Sequence, residues 1–541
     1  MDRLPVKRHE LIGASMAKLL ISIIIPVYNG AKYMREAIDS ALNQTWPDIE
    51  VIVVNDGSTD NGETERIAKS YGDRIRYVAK SNGGVASALN SGIAAMHGEI
   101  FCWLSHDDRY LPEKTERQVA EWTNRGQADA ILISDYRLID ASGSTITEVR
   151  LDHETLAAKP QYALLRGSIH GCSVFVPRQF FRTVGTFDEG LPTTQDYDLW
   201  HRMIRKGAQF VHMPEVLIES RWHDEQGSKK IDHVPEATRF WTKVVDDIPV
   251  DEQELLEGSR SRFLEAMADF LKLNNLVDAS DNLRLKAQSE LSNTLVSIVI
   301  PVYNRLEMAC SAVESAIAQT HTAIEVIVVD DGSTEEIESL SNIVTHHAPR
   351  VQLIRQENRG PAAARNTGWA AARGAYVAFL DADDLFLPNK IWMQLTAMAT
   401  AGQSLTHTSY FRHLAGKAEF TRMASGAGNT FPAILGGCGI ATPTVMLRRS
   451  LWDEGFRFPE DFRIGEDIIL WIRIAAKYGV SGLDTATTVV RASSGSAAYD
   501  RTTQILGVQN VLNVITATPE LAKHEVEIAK LVKFLESLKQ S

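Results

Sequence analysis

The chain has 541 residues, 44% of them hydrophobic and 23% charged, with a formal net charge of −13. That length exceeds one ordinary core, since domains usually run to ~150 residues. The negative balance excludes broad attraction to nucleic-acid phosphates or anionic lipid. Arg3, Lys7, Arg8 and Lys18 form the one early basic stretch. Four widely spaced cysteines, Cys102, Cys172, Cys310 and Cys438, form no CxxC pair. This argues against a zinc site or disulfide framework and for a reducing compartment. No run approaches the roughly 18 apolar residues of a membrane span; Leu19–Val27 is short and broken by Pro26. The first 18 residues carry charges throughout and lack the apolar stretch of a secretory signal. The expected location is therefore the cytoplasm, with peripheral work at the inner face of the membrane left open.

In chain order, the first element is a run of β-branched residues, ISIIIPVYNG (Ile21–Gly30), and it recurs as VSIVIPVYNR (Val296–Arg305) at an offset of 275 residues. A stretch with helical apolar spacing follows (Met34, Ala37, Ile38, Ala41, Leu42), in which Ser40, Gln44 and Thr45 match Ser315, Gln319 and Thr320. Next come VIVVNDGSTD (Val51–Asp60) against VIVVDDGSTE (Val326–Glu335), and NGGVASALNSG (Asn82–Gly92) against NRGPAAARNTG (Asn358–Gly368). HDDRYLPEK (His106–Lys114) faces ADDLFLPNK (Ala382–Lys390), and QDYDLWHR (Gln195–Arg202) faces EDIILWIR (Glu466–Arg473). Six blocks in one order at a nearly constant offset identify an internal duplication. Buried-type strands alternating with helical stretches predict βαβ units. Each copy is thus an α/β domain with a mostly parallel central sheet flanked by helices. The expected boundaries are 19–250 and 293–505. Residues 251–292 read as a helical connector and 506–541 as a helical tail packed on the second domain.

Ligands bind beyond the carboxyl ends of strands in such sheets, where each block places its polar residues. Asp56 and Asp331 follow the second strand; a carboxylate there can accept a hydrogen bond from a nucleobase, although a turn aspartate before Gly-Ser-Thr reads the same way. The acidic clusters are sharper: IFCWLSHDD (Ile100–Asp108) and YVAFLDADD (Tyr376–Asp384). Crowded carboxylates repel unless a cation sits among them. Mg²⁺ or Mn²⁺, held by one or two carboxylates and substrate phosphate oxygens, would neutralise a departing diphosphate. Asp196 and Asp467, ahead of "LW" at a helix start, are the candidate bases that would deprotonate an acceptor sugar hydroxyl. Attack opposite the leaving diphosphate inverts the anomeric carbon. N-capping accounts for the same position.

This ordered set resembles the motif series of family 2 glycosyltransferases with the GT-A fold, and the resemblance covers both copies. It implies two GT-A-like domains, nucleotide-diphosphate sugar donors, a metal-dependent inverting reaction, and an acceptor that is a glycan or lipid-linked glycan in cell-surface polysaccharide synthesis. It also implies that Pro26, Tyr28, Pro301 and Tyr303 line the base pocket with Asp56 and Asp331, and that Asn82 and Asn358 belong to the donor site. Asp107 and Asp383 would serve the diphosphate, Asp381 the nucleotide sugar, and Asp108 and Asp384 the metal. His223, in SRWHDEQGS, resembles a late histidine that approaches the metal. The loops containing HGCSVF (His170–Phe175) and GGCGIATPT (Gly436–Thr444) should shape the acceptor site.

Two departures stand out. The first copy has Ser105 in place of an aspartate, and the second has VVRASSGS (Val489–Ser496), with no histidine matching His223. Neither removes the base or the paired aspartates, so both domains are expected to be active. One catalytic domain beside a glycan-binding or scaffold domain is the alternative. A dehydrogenase would need GxGxxG after the first strand; PVYNG stands there instead.

Overall fold

The computed structural model describes residues 19–126, 129–223, 233–414, 417–421, 431–492 and 500–540. The basic stretch Arg3, Lys7, Arg8 and Lys18 lies outside them, as do parts of SRWHDEQGS and VVRASSGS. The chain forms two compact units. Unit 1 takes in the chain up to Pro249 together with Met267–Asp281, and unit 2 takes in Val250–Ala266 and the chain from Asn282 onward. The expected connector is helical, over Val250–Glu257, Arg260–Leu273 and Val277–Asn293, and its residues are shared between the units. In unit 1 the Phe270 ring packs 4.9 Å from that of Trp241; in unit 2 Arg260 pairs with Glu290 at 3.2 Å.

Unit 1 contains β1 (Ile21–Val27), β2 (Ile49–Asp56), β3 (Arg76–Lys80), β4 (Ile100–Trp103), β5 (Arg109–Tyr110), β6 (Ala130–Ile139), β7 (Thr145–Val149), β8 (Val176–Pro177) and β9 (Gln209–Arg221). The main sheet runs β3-β2-β1-β4-β8. Its first four strands are parallel and β8 is antiparallel. A second sheet runs β5-β9-β6-β7. Unit 2 repeats the pattern with β10 (Val296–Val302), β11 (Ile324–Asp330), β12 (Val351–Arg355), β13 (Tyr376–Phe379), β14 (Leu385–Phe386), β15 (Leu405–Leu414), β16 (Lys417–Thr421), β17 (Met446–Arg448) and β18 (Ser481–Ala492). Here the strands join as β12-β11-β10-β13-β17-β15-β18-β14, with β16 on β15. Both faces of the central parallel strands β1, β4, β10, β11 and β13 are buried, which is why they read as nearly unbroken apolar runs, while the outer β3 and β12 are only partly covered. Ile298 and Ile300 of β10 enter one core and Val299 the other. The C-terminal helices Arg501–Ala517 and Glu525–Gln540 add Val511, Ile515 and Leu531 to the core of unit 2.

Several motif residues shared by the two copies turn out to hold the fold. The Gln44 amide donates to the Leu111 carbonyl at 2.9 Å and accepts from the Thr115 amide at 3.0 Å. Gln319 does the same with Leu387 and Ile391. Asn90 exchanges two hydrogen bonds with the backbone of Phe187, and Asn366 with that of Phe458. These amides satisfy buried backbone groups that no ladder reaches.

Gly92 and Gly368 let a helix lie directly on the first strand of each unit. A Cβ would stand 2.3 Å from Ile24 Cγ2 in one case and 2.3 Å from Val299 Cγ1 in the other. Gly368→Val is therefore expected to destabilise unit 2 by at least the ~1–3 kcal/mol of overpacking. Thermal unfolding checks this, and an unmoved transition would contradict the close packing. Among the described residues no helix is long and apolar enough to cross a membrane.

Candidate active sites

The loops following β1 and β2 are tied together at the carboxyl edge of the sheet. In unit 1 the Asn29 amide N–H donates to Ser58 Oγ at 2.9 Å, and the Thr59 amide donates back to Asn29 Oδ1 at 2.7 Å. Asn304 makes the same exchange with Ser333 and Thr334. Both asparagines have positive φ, 50° and 55°, a conformation that asparagine tolerates better than most residues. Sequence reasoning passed over these asparagines and serines, although their recurrence in both copies was the available signal. Pro26 is buried and Pro301 half-buried, while the rings of Tyr28 and Tyr303 are exposed at the loop.

Asp56 ends β2 and is buried. Its Oδ1 accepts from the Gly83 amide at 3.0 Å and from Lys80 Nζ at 2.6 Å, and its Oδ2 accepts from the Gly84 amide at 2.8 Å. Asp331 is held by the amides of Arg359 and Gly360 and by Gln356 Nε2, at 2.7–3.0 Å. Each carboxylate thus anchors the N-terminus of the following helix, Gly84–Ala95 or Pro361–Ala371, where it meets the positive pole of the dipole. The Asn82 side chain donates to the Asp56 carbonyl at 3.0 Å, and Asn358 is exposed at the matching place. Gly57 and Gly332 (φ +69° and +74°) permit this approach, since a Cβ would meet the Asn82 or Asn358 amide nitrogen at 2.5 or 2.8 Å.

At the acidic turn of unit 1 the structure separates two neighbouring aspartates. Asp108, assigned to the metal from sequence, points inward: its Oδ1 accepts from the Arg221 amide at 2.8 Å, and its Oδ2 accepts from Cys172 Sγ at 3.2 Å. Burial, reinforced by the charge of Asp107, pushes its carboxyl up to about 7. Asp107 instead faces His223, with Oδ2 and Nε2 2.9 Å apart. Arg221 braces the turn from beneath by donating through Nε to the Asp107 carbonyl at 2.9 Å. Arg221 of β9 and Cys172 thus hold the two oxygens of Asp108, while Asp107 and His223 meet beside them. Asp108, His170 and Cys172 also bring potential metal-ligating atoms within 4.8 Å of one another. Burial raises the Cys172 thiol well above its usual range and lowers His170 to about 4; the three lie in a hydrogen-bonded cluster with Ser105.

Unit 2 repeats the inward turn. Asp384 Oδ1 accepts from the Arg491 amide at 2.9 Å, and Arg491 Nε donates to the Asp383 carbonyl. Burial, with the charges of Asp381 and Asp383, pushes Asp384 up to about 8. Asp383 is the outward carboxylate. Its Oδ2 accepts from Arg305 Nη1 at 2.8 Å. Asp381 pairs with Arg365 at 2.7 Å, and the second arm of Arg365 reaches Glu466 at 2.9 Å. Arg365 and Glu466 were not singled out from sequence.

The candidate bases open the helices Gln195–Ile204 and Glu466–Tyr478. Neither caps its helix in the usual way, since each accepts from the very next amide, Tyr197 or Ile468, at 2.9 and 2.8 Å. Asp196 is half-buried; burial pushes its carboxyl up to about 6, with the charge of Glu236 adding to the effect. Asp467 Oδ2 accepts from Thr442 Oγ1 at 2.7 Å, which ties it to the loop of GGCGIATPT. Beside it, Ile468, Leu435, Cys438, Val508, Leu531 and Phe534 line an apolar cavity of about 340 Å³.

Residues 22–176 and 297–454 each match the model of Glycosyl transferase family 2. An uncharacterized glycosyltransferase of Rickettsia felis is 45% identical over 513 residues, covering 93% of this chain and 85% of the relative. Chondroitin synthase of Pasteurella multocida is 30% identical over 297 residues, 53% of this chain and 29% of its own. The E. coli UDP-Glc:alpha-D-GlcNAc-diphosphoundecaprenol beta-1,3-glucosyltransferase WfaP is 32% identical over 229 residues, 41% of this chain and 86% of its own. With one match in each unit and likeness to the Rickettsia protein over nearly the whole length, the chain belongs to glycosyl transferase family 2.

Proposed function

We propose that this glycosyltransferase is bifunctional and inverting. Each unit takes a sugar from a nucleotide-diphosphate donor and passes it to a glycan or lipid-linked glycan in cell-surface polysaccharide synthesis. One observation carries the reading: Arg365 spans from Asp381 in the acidic turn to Glu466, the neighbour of Asp467. The donor turn and the candidate base are therefore one side chain apart. The name of the E. coli relative, with its UDP-glucose donor and lipid-linked acceptor, supports a donor and acceptor of those classes. The apolar cavity beside Asp467 supports a lipid portion on the acceptor of unit 2.

In unit 1, Asp107 and His223 fit a divalent cation. Their Oδ2 and Nε2 atoms converge to 2.9 Å, and a carboxylate oxygen with an imidazole nitrogen is a donor set that would hold such an ion. An ion bound there would supply Lewis-acid neutralisation of the leaving diphosphate. Asp108 and Arg221 would hold the turn so that Asp107 faces outward. Asp56 and Asp331 would set the loop against which the nucleobase lies, with Tyr28 or Tyr303 over its face. Asp196 and Asp467 would take the acceptor proton; the half-buried Asp196 carboxylate, raised to about 6, is a stronger base than a solvated one and is still ionised at neutral pH.

The test is a screen of nucleotide sugars with Mn²⁺, read as nucleoside diphosphate release and anomeric configuration by NMR. Two separable activities with inverted products are expected, one removed by Asp196→Asn and the other by Asp467→Asn. A single activity, lost in one variant and untouched in the other, would instead support the reading in which one unit is a scaffold. Retention of both activities in both variants would refute the base assignment.

A further inference from the structure

The two units differ at three positions that interlock. In unit 1, Gly30 follows Asn29, and the His106 ring fills the space beside it: a Cβ on Gly30 would stand 2.6 Å from His106 Cδ2. No side chain can extend from that position. Asp107 accordingly meets an imidazole, His223, from the far end of β9. In unit 2 all three residues change together. Ala382 replaces the His106 ring and Arg305 replaces Gly30. The stretch from Arg491 to Asp500, which follows the strand matching β9, contains no histidine. Arg305 reaches across the vacated space to place its guanidinium 2.8 Å from Asp383 Oδ2, with its side chain 47% exposed. A permanent positive charge thus stands at the outward carboxylate of unit 2, where unit 1 places the His223 imidazole.

We propose that Arg305 is the pyrophosphate-facing cation of unit 2, so that unit 2 binds its donor diphosphate without a divalent ion while unit 1 requires one. The inference rests on the donor-binding reading above. A guanidinium carries five N–H donors in a planar fork that matches phosphate oxygens. It is attached here at the N-terminus of the helix Leu306–Ile317, at the carboxyl end of β10, which is the edge where phosphates bind in parallel sheets. Its charge also opposes entry of a divalent cation at Asp383, since two like charges within 4 Å repel. Arg305 would therefore both take over the work of an ion and discourage one from binding.

The experiment uses the full chain with UDP and, separately, GDP as probes. Mn²⁺ binding is followed by electron paramagnetic resonance, and nucleotide binding by calorimetry with and without EDTA. The expected result is a single nucleotide-dependent Mn²⁺ site, lost in Asp107→Asn and retained in Asp383→Asn. In EDTA one nucleotide site should persist, weakened roughly ten- to a hundredfold by Arg305→Ala, the range for losing a hydrogen bond to a charged group. Arg305→Lys, which keeps the charge, should retain most of the affinity. Mn²⁺ that survives Asp107→Asn, or that disappears in Asp383→Asn, overturns the proposal. So does an EDTA-resistant site indifferent to Arg305→Ala, or the loss of all nucleotide binding in EDTA when Mn²⁺ restores two sites. Absence of any nucleotide binding, with or without metal, would refute the donor-binding reading itself and this inference along with it.

Discussion

Asp196→Asn is expected to lower transfer by unit 1 by ~10²–10⁴-fold, the usual contribution of a positioned general base. The measurement is made in the Asp467→Asn background, so that unit 1 alone reports. The asparagine keeps the shape and can still accept from the Tyr197 amide, so unfolding should be unchanged and the loss should fall on kcat. The pH profile of the Asp467→Asn protein, in which Asp196 is intact, supplies a second reading. Burial raises the Asp196 carboxyl to about 6, and a base works only when ionised. Protonation as pH falls through about 6 should therefore reduce kcat/KM about tenfold per pH unit, with a plateau above. A profile that stays flat from about pH 7 to about pH 5 would remove Asp196 from the reaction.

The second large effect concerns stability. Arg365→Leu should destabilise unit 2 by ~3–5 kcal/mol, because it strands a buried charge on Glu466 and takes the partner from the half-buried Asp381. Arg365 and Glu466 have side chains only 8% exposed. Burial and the charge of Asp467 already push Glu466 up to about 7, so loss of the guanidinium would leave its ionised form still less favourable. Unit 1 shows how the same place can be built without charge. Leu89, Ser105 and Gln195 stand where Arg365, Asp381 and Glu466 stand in unit 2, with Leu89 and Gln195 buried. The triple variant Arg365→Leu, Asp381→Ser, Glu466→Gln should therefore recover most of the lost stability, although it removes a proposed donor contact. Thermal unfolding of the single and triple variants decides the matter: equal destabilisation in both would mean that the ion pairs are not the source. This comparison also explains why Ser105 in the first copy is not a simple loss, since its two partners became neutral with it.

The sequence alone determined the duplication, the parallel-stranded α/β class and the strand ends at which polar residues gather. These are local properties: a strand buried on both faces writes its apolar run continuously, and the turn chemistry of Asp-Gly-Ser-Thr follows within a few residues. What lay beyond it was the direction in which each side chain of a tight turn points. Asp107 and Asp108 are chemically identical neighbours; the outward one was settled by the Arg221 amide, on a strand formed more than a hundred residues later. The exchange of Gly30 and His106 for Arg305 and Ala382 was visible as letters, but its meaning needed the distance between two loops that only folding brings together. The same holds for Arg365, an ordinary helical residue in sequence, which becomes the link between the acidic turn and the helix of Asp467 because tertiary packing closes a separation of 101 residues to one hydrogen bond.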